Sequence, residues 1–441
     1  MIKDHFDIKI NNLNIIKLLF YIFPFMMLMA SGYITSYVTI LTIASLIFFY
    51  KNNIKIKFYF IDYLVFIFFF LSLISTFVNI KLLGNLIFFK STLDLRFALF
   101  FLIIRNVINY KLVDIKKLFL IGLICTLFLS IDIIYQHIYG ADIFGIPPFD
   151  GRFNGVLNDE AIAGSYIQKF LLFSLSIVLL FNLNNINKFI LTVFISSLLG
   201  AGILLSLDRM PFFIYLFILS MLIIFFKNYR SIFVANLLII LFLFNILLKN
   251  VEILEYKYQS LGIEQNVKRV KNFIEERINK KIEIEKSKSQ NTDKTESTKG
   301  ETYGYMNDYL KMYNSAFSLW LKKPFLGSGV KSFGPECGKM LLEKKDVSCN
   351  VHPHNIYLEI LINQGLLGII TFISLIILII KNLRKEIITN NNNKFISIIF
   401  IIILIAEVWP LRTYGSIFQT MNGSIFWFLL ALVSSRKYLI K

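Results

Sequence analysis

The chain has 441 residues, 56% of them hydrophobic, with 46 Phe against 8 Pro and a mean hydropathy of +0.66. No water-soluble domain needs that much apolar side chain, and long unbroken apolar runs favour helices over a barrel, whose strands alternate over about ten residues. The net charge of +18 comes without any folded basic motif, so it gives no reason to expect a nucleic-acid partner.

A bilayer core about 30 Å thick takes roughly 20 apolar residues per helix. On that scale the sequence predicts an all-α polytopic membrane protein with about twelve transmembrane helices. In chain order these lie near Ile15–Ala30, Tyr33–Tyr50, Phe58–Val78, Ser91–Ile108, Leu118–Tyr139 and Ala161–Leu183. Six more lie near Phe189–Leu205, Pro211–Phe226, Ile232–Leu248, Ile356–Ile380, Phe395–Trp409 and Ile417–Val433. The first follows Lys3 and Lys9 and lacks a small-residue cleavage site, so it reads as a retained span. The fourth is interrupted by Lys90, Asp94 and Arg96, which either line a cavity or neutralise one another.

Basic residues in short loops set the orientation. With the N-terminus cytoplasmic, the inner segments carry Lys3, Lys9 and Lys17; Lys51, Lys55 and Lys57; Arg105, Lys111, Lys116 and Lys117; Lys188; Lys227 and Arg230; Lys381, Arg384, Lys385 and Lys394; and Arg436, Lys437 and Lys441. The short outer loops hold little beyond Lys81, Arg152, Arg209 and Arg412. The excess is about fivefold, which predicts that both termini are cytoplasmic.

The expected organisation is therefore residues 1–248 as helices one to nine, residues 249–351 as an outer loop subdomain, and residues 352–441 as the last three helices. The loop's first third reads as an exposed charged helix with Val267, Val270, Phe273 and Ile274 on one face. A polar insert at about 283–301 follows that is too hydrophilic to pack. Apolar character returns in "YLKMYNSAFSLWLKKPFLGSGVKSFG", a helix ending at Pro324 and a Gly-rich turn. Cys125 lies within a span and reads as a small apolar residue. Cys337 and Cys349 share the outer loop, where an oxidising compartment permits either a bridge or two free thiols.

The candidate chemistry gathers on the outer face. In "HPHNIYLEILINQGLLG", Pro353 suits the first turn of a helix and His354 its N-terminus. The positive dipole end there favours a neutral imidazole base and attracts anions such as diphosphate. His352, Tyr357 and Glu359 are possible further contacts, and Gly365 and Gly368 permit close helix approach. No third ligand near the two histidines has metal-site spacing, so neither a metal nor another cofactor is expected. In "DGRFNGVLNDEAIAGSY", Arg152 can grip phosphate oxygens while Asn158 and Glu160 offer sugar contacts. Glu160 could equally be a first-turn helix residue. In "LSLDRMPFF", Asp208 and Arg209 sit in a turn between two apolar helices, where charge is costly. Such charge marks a functional site by default, and a local Asp208–Arg209 pair that merely caps the turn is the alternative. Arg412 in "WPLRTYG" is a similar case.

A neutral His beside several Arg at one membrane face suits attack by a hydroxyl on a diphosphate-linked sugar, with His as base and Arg stabilising the leaving diphosphate. At these residues the sequence resembles the O-antigen ligase/O-antigen polymerase superfamily. "HPHNIYLEILINQGLLG" looks like its His-Asn…Gly-x-x-Gly signature, with ten residues between His354 and Gly365. "SAFSLWLKKPFLGSGVKSFG" resembles the approach to that signature, and the Arg152 and Arg209 loops resemble its two Arg-bearing loops. The resemblance runs from about residue 152 to 368.

The resemblance implies a bacterial inner-membrane glycosyltransferase of the membrane type C kind, with its active site on the periplasmic side. His354 would be the base, Arg152 and Arg209 the diphosphate clamps, and an undecaprenyl diphosphate-linked glycan the donor. The acceptor would be lipid A–core or a growing polysaccharide, that is, ligase or polymerase. One departure is Asp159-Glu160, where many members carry an Asn. A flippase or transporter for lipid-linked sugars is the competing class, but it predicts repeat symmetry and deep basic residues, neither of which the sequence shows. Oligomeric state is not readable from the sequence.

Overall fold

The computed structural model describes residues 10–149, 151–158, 160, 162–250, 305–343, 347–389, 394–413 and 415–435. Lys3, Lys9, Asp159, the predicted charged helix around Val267–Ile274, the polar insert at 283–301, and Arg436, Lys437 and Lys441 lie outside the described residues.

Each predicted apolar run is helical. In chain order the helices are α1 (Ile10–Tyr21), α2 (Phe23–Met26), α3 (Ser31–Lys51), α4 (Phe60–Val78), α5 (Ile80–Leu83), α6 (Asn85–Leu93), α7 (Leu95–Asn109) and α8 (Ile115–Tyr139). Next come α9 (Ala163–Leu180), α10 (Asn185–Leu205), α11 (Arg209–Phe225) and α12 (Arg230–Asn250). The chain continues with α13 (Tyr305–Lys322), α14 (Phe333–Leu342), α15 (Ile356–Thr389), α16 (Lys394–Glu407) and α17 (Thr420–Ser434). Among the described residues, seven helices are long and apolar enough to cross a membrane, and Arg209–Phe225 and Thr420–Ser434 are shorter apolar helices. The first predicted run is split: α1 stops at Tyr21, and Pro24 opens the short α2.

Helix α9 is the hub. Of Ala163–Leu180, 89% is buried, against 44% of Ser31–Lys51, so α9 is surrounded by protein and α3 by lipid on one side. Helices α8 and α10 flank it, and α11 and α16 close around it. A second centre is Trp427 of α17, packed on Phe69 at a ring-centroid separation of 4.9 Å and on Phe426 edge-to-face at 5.2 Å. Such aromatic contacts suit a bilayer, where helix association relies on close packing rather than on exclusion from water.

Arg105, counted in the sequence as an inner-loop cation, is instead buried in α7 and paired with Asp62 of α4 at 3.3 Å. Asp62 also accepts a hydrogen bond from the Tyr59 N–H as part of a capping box. A buried charge needs such a partner, and the sequence alone could not assign one 43 residues away.

The outer segment packs on itself and on α15. Met312, Ala316 and Leu319 of α13 meet Phe333, Cys337 and Met340 of α14 and Ile362 of α15. Cys337 and Cys349 are joined in a disulfide with a sequence separation of 12. Closing a loop of that length removes about 3 kcal/mol of unfolded-chain entropy. Reduction of the folded protein is expected to speed proteolysis between residues 305 and 350, and limited digestion with and without reductant measures it. Unchanged digestion would show the bridge to be idle.

Candidate active site

The His-bearing segment is set by a cap. Helix α15 begins at Ile356, not at Pro353 as the Pro-at-first-turn expectation had it. Asn355 is the reason: its Oδ1 accepts the backbone N–H of Tyr357 at 3.0 Å and of Leu358 at 3.2 Å, an N-cap arrangement that satisfies two orphan donors. Its Nδ2 donates to the Pro410 carbonyl at 2.8 Å, tying the helix start to the loop before α17. His354 therefore stands just ahead of the cap, half-buried, with φ 50. A non-glycine residue in that region costs about 1 kcal/mol or more and needs surrounding contacts to hold it.

Those contacts come from three directions. The His352 and His354 ring centroids are 4.3 Å apart, and Tyr309 of α13 meets His354 edge-on at 6.0 Å. Asn350 Nδ2 lies 2.9 Å from His354 Nε2. Because Asn350 Oδ1 accepts the Val351 N–H at 2.7 Å, its Nδ2 is the donor toward the ring. Nε2 is then the acceptor nitrogen and Nδ1 carries the proton. Asn350 follows the disulfide-bonded Cys349 directly, so the bridge anchors the residue that touches the imidazole.

The second group joins the two Arg-bearing loops. Arg152 Nη1 is 3.3 Å from Asp208 Oδ1, with both side chains partly accessible. Asn154 Nδ2 donates to the Asn158 carbonyl at 3.0 Å, folding the loop back on itself, with Asn158 at φ 54. Asp132 of α8 anchors this loop by accepting the Val156 N–H at 2.7 Å. Gly164, at the start of α9, lets the turn come close: a Cβ there would lie 2.4 Å from Ser206 Oγ and 2.9 Å from Asp208 Cβ. Arg209 opens α11 and is half-buried, while Asn158 and Glu160 are exposed.

Three other sequence candidates are placed inside the bundle. Arg412 is 5% exposed, and its guanidinium donates to the Ala406 carbonyl, Glu407 Oε1 and Gln168 Oε1 at 2.8, 3.0 and 2.8 Å. It ties α16 to α9 instead of facing an opening, a correction to its grouping with Arg152 and Arg209. Tyr357 donates its hydroxyl to the Val408 carbonyl. Buried Glu359 accepts the Ile417 N–H at 3.4 Å. Both therefore hold α15 against residues 408–417, a structural use that the sequence could not separate from substrate contact. Of the interrupting charges in the fourth run, Asp94 is buried at the α6–α7 junction, Arg96 donates to Thr420 Oγ1 at 3.1 Å, and Lys90 is exposed.

The two groups occupy the same end of the bundle. Asp208 abuts Gly164 of α9; Gln168, one turn on, holds Arg412; and Pro410, two residues before Arg412, holds Asn355 beside His354.

Below the site, a break in α15 takes the place of the helix–helix approach expected of Gly365. Gly365 has φ 65 and ψ −157, and the segment Pro324–Gly329 docks into the break. Leu366 and Leu367 donate their N–H groups to the Pro324 and Phe325 carbonyls at 2.8 and 3.3 Å. Ser328 and Gly329 donate to the Ile362 and Asn363 carbonyls at 2.6 and 3.1 Å. The "PFLGSG" and "NQGLLG" segments are thus two halves of one joint.

Among residues that sequence reasoning passed over, Asn355 carried a usable signal, an Asn immediately before an apolar helical run. Asn350 and Tyr309 carried none, because their contacts with His354 depend on how the outer segment folds back.

Helices arranged around a buried hub, with polar groups collected where their ends meet, define a polytopic membrane protein with a candidate site at one face. Residues 191–373 match the family model described as O-antigen ligase. The match includes Arg209 and His354 and begins after Arg152. No curated protein matches the chain.

Proposed function

We propose that the protein transfers a glycan from an undecaprenyl diphosphate-linked donor to a hydroxyl acceptor at the periplasmic face of the bacterial inner membrane. The acceptor oxygen bonds to the anomeric carbon while the bond from that carbon to the diphosphate oxygen breaks. The acceptor proton passes to His354 Nε2, the lone-pair nitrogen, after Asn350 gives way. Arg152 and Arg209 take up the charge growing on the diphosphate. The reading rests chiefly on one observation: the O-antigen ligase region carries a histidine held in a costly backbone conformation at the bundle end where the Arg-bearing loops meet.

Asp208 does not argue against this role for Arg152. A partly exposed pair at 3.3 Å is worth about 0.5–1 kcal/mol and exchanges readily for a phosphate, which binds Arg in a bidentate fashion. Arg152→Ala is therefore expected to cost less than about 1 kcal/mol of stability yet lower transfer more than about tenfold. Thermal unfolding in detergent and a transfer assay on the same preparation check both halves. A large drop in melting temperature with proportionate loss of activity would make Arg152 structural.

The acceptor is tested with purified protein in proteoliposomes, supplied with lipid-linked donor and either lipid A–core or a second repeat unit. Product on lipid A–core identifies a ligase, elongated lipid-linked glycan a polymerase, and no product with either overturns the transferase reading.

A further inference from the structure

The chain between Lys323 and Val330 lies against residues that the apolar runs place within the bilayer. Leu367, bonded to the Phe325 carbonyl, stands 14 residues before Lys381, the first basic residue at the far end of α15's apolar run. That is about 21 Å along a helix. A second reckoning is independent of α15. Val330 donates its N–H to Thr76 Oγ1 at 3.0 Å, and Thr76 is 16 residues beyond Phe60, where α4 starts. That distance is about 24 Å. Against a hydrocarbon core of about 30 Å, both place the segment roughly 6–9 Å beneath the boundary on the site side, and any helix tilt places it deeper.

Non-helical backbone at that depth must be satisfied by protein, and this segment is. Besides the bonds that close the break in α15, Gly327 donates its N–H to the Lys323 carbonyl at 3.0 Å and accepts from Asn79 Nδ2 at 3.2 Å. The Trp320 indole N–H donates to the Pro324 carbonyl at 3.0 Å. Close approach requires glycine: a Cβ on Gly329 would sit 2.9 Å from Thr76 Cα, and one on Gly327 2.5 Å from the Ile362 carbonyl oxygen.

Among the outward side chains from 317 to 325, Ser318 and Lys322 are polar and one face is apolar. Phe317, Leu321 and Phe325, four residues apart, are 48%, 56% and 67% exposed. Phe77 and Val78 of α4 and Leu367 and Ile370 of α15 also face outward, on helices long and apolar enough to cross the membrane, and the segment is bonded to Leu367 and to Thr76, next to Phe77. In water such a stripe would be an aggregation hazard. Continuous with a lipid-facing wall, it is lipid-facing too.

We propose that Lys323–Val330 is a re-entrant segment. It enters the leaflet on the site side, and Phe317, Leu321 and Phe325 bind that leaflet's acyl chains. The segment after the charged insert is thus in part a membrane-embedded element, and the joint in α15 is closed at membrane depth.

The test is site-directed spin labelling of Phe317→Cys, Leu321→Cys and Phe325→Cys, each in a Cys125→Ala background in phospholipid nanodiscs, with exposed Lys339→Cys as the aqueous reference. Oxygen is expected to relax the three labels more than a water-soluble nickel chelate does, with depth increasing from Phe317 through Leu321 to Phe325. Nickel access at Phe325 equal to that at Lys339 overturns the proposal, because water then covers the stripe. Access by neither reagent also overturns it, because protein then covers the stripe. Should the label at Phe325 prevent folding, the Trp409→Phe/Trp427→Phe variant leaves Trp320 as the sole indole. Quenching by lipids brominated in the upper acyl chain is then expected, and its absence overturns the proposal equally.

Discussion

Replacing His354 with alanine is expected to lower glycan transfer by about 10²–10⁴-fold while leaving the protein in the membrane at normal abundance. The prediction is sharp because the residue does little for the fold. It is half-buried, sits ahead of the helix cap instead of in it, and occupies a backbone region that alanine also disfavours. The neighbours that hold it are an exposed Asn, a second His and the edge of a Tyr ring, not core residues. Assaying surface glycan together with its lipid-bound precursor separates the readings. Loss of glycan with accumulation of outward-facing precursor marks His354 as the base. Normal transfer at normal abundance removes that assignment and, with it, the chemical centre of the proposed function.

Gly365→Ala is expected to cost several kcal/mol, about 3 or more, and to reduce the yield of folded protein. Its Cβ would stand 2.3 Å from the Phe325 carbonyl oxygen and 2.6 Å from that of Pro324. Both are backbone atoms held by hydrogen bonds in a water-poor setting, so neither can swing aside. Parting the joint would break bonds worth about 1 kcal/mol each and leave donors and acceptors unsatisfied at a further 1–3 kcal/mol apiece. The positive φ adds its own penalty for any Cβ. Gly338→Ala of α14 makes the control. A Cβ there meets nothing within 4 Å, so its melting temperature in detergent is expected to fall much less. Equal effects at the two positions would mean that the break in α15 is not a rigid joint.

The helical membrane fold was legible because lipid imposes a single demand, runs of apolar residues of fixed length, and each run is helical. Finer features were legible where they depended on local chemistry. His354 and Arg209 declared themselves as polar residues at the ends of apolar runs. Other features depended on long-range partners and stayed hidden. Arg105 reads as an ordinary inner-loop cation until Asp62 is seen beside it. Arg412 has the same signature as Arg152, an arginine in a short outer loop, yet one is spent inside the bundle and the other is partly accessible. Pro353 pointed to the wrong helix start, because Asn355 two residues on is the stronger capping group.

Lys169 sets an order on how the chain comes together. It lies on the central helix α9, and its ammonium meets Asn422 Oδ1 at 3.3 Å, while neighbouring Gln168 holds Arg412. These partners follow 253 and 244 residues later in the chain. At about 5–20 residues per second that is roughly ten to fifty seconds of synthesis. During that interval α9 is already in the membrane without α17, and a lysine facing lipid costs up to about 3 kcal/mol. Earlier helices cover one side of α9, since Tyr166 donates to the Pro24 carbonyl and Thr126 bonds Ser174, and α10 and α11 follow soon after, but the lysine side waits. Helix α17 is therefore the keystone of the bundle, and a chain cut before it would strand a charge at the centre rather than lose an edge.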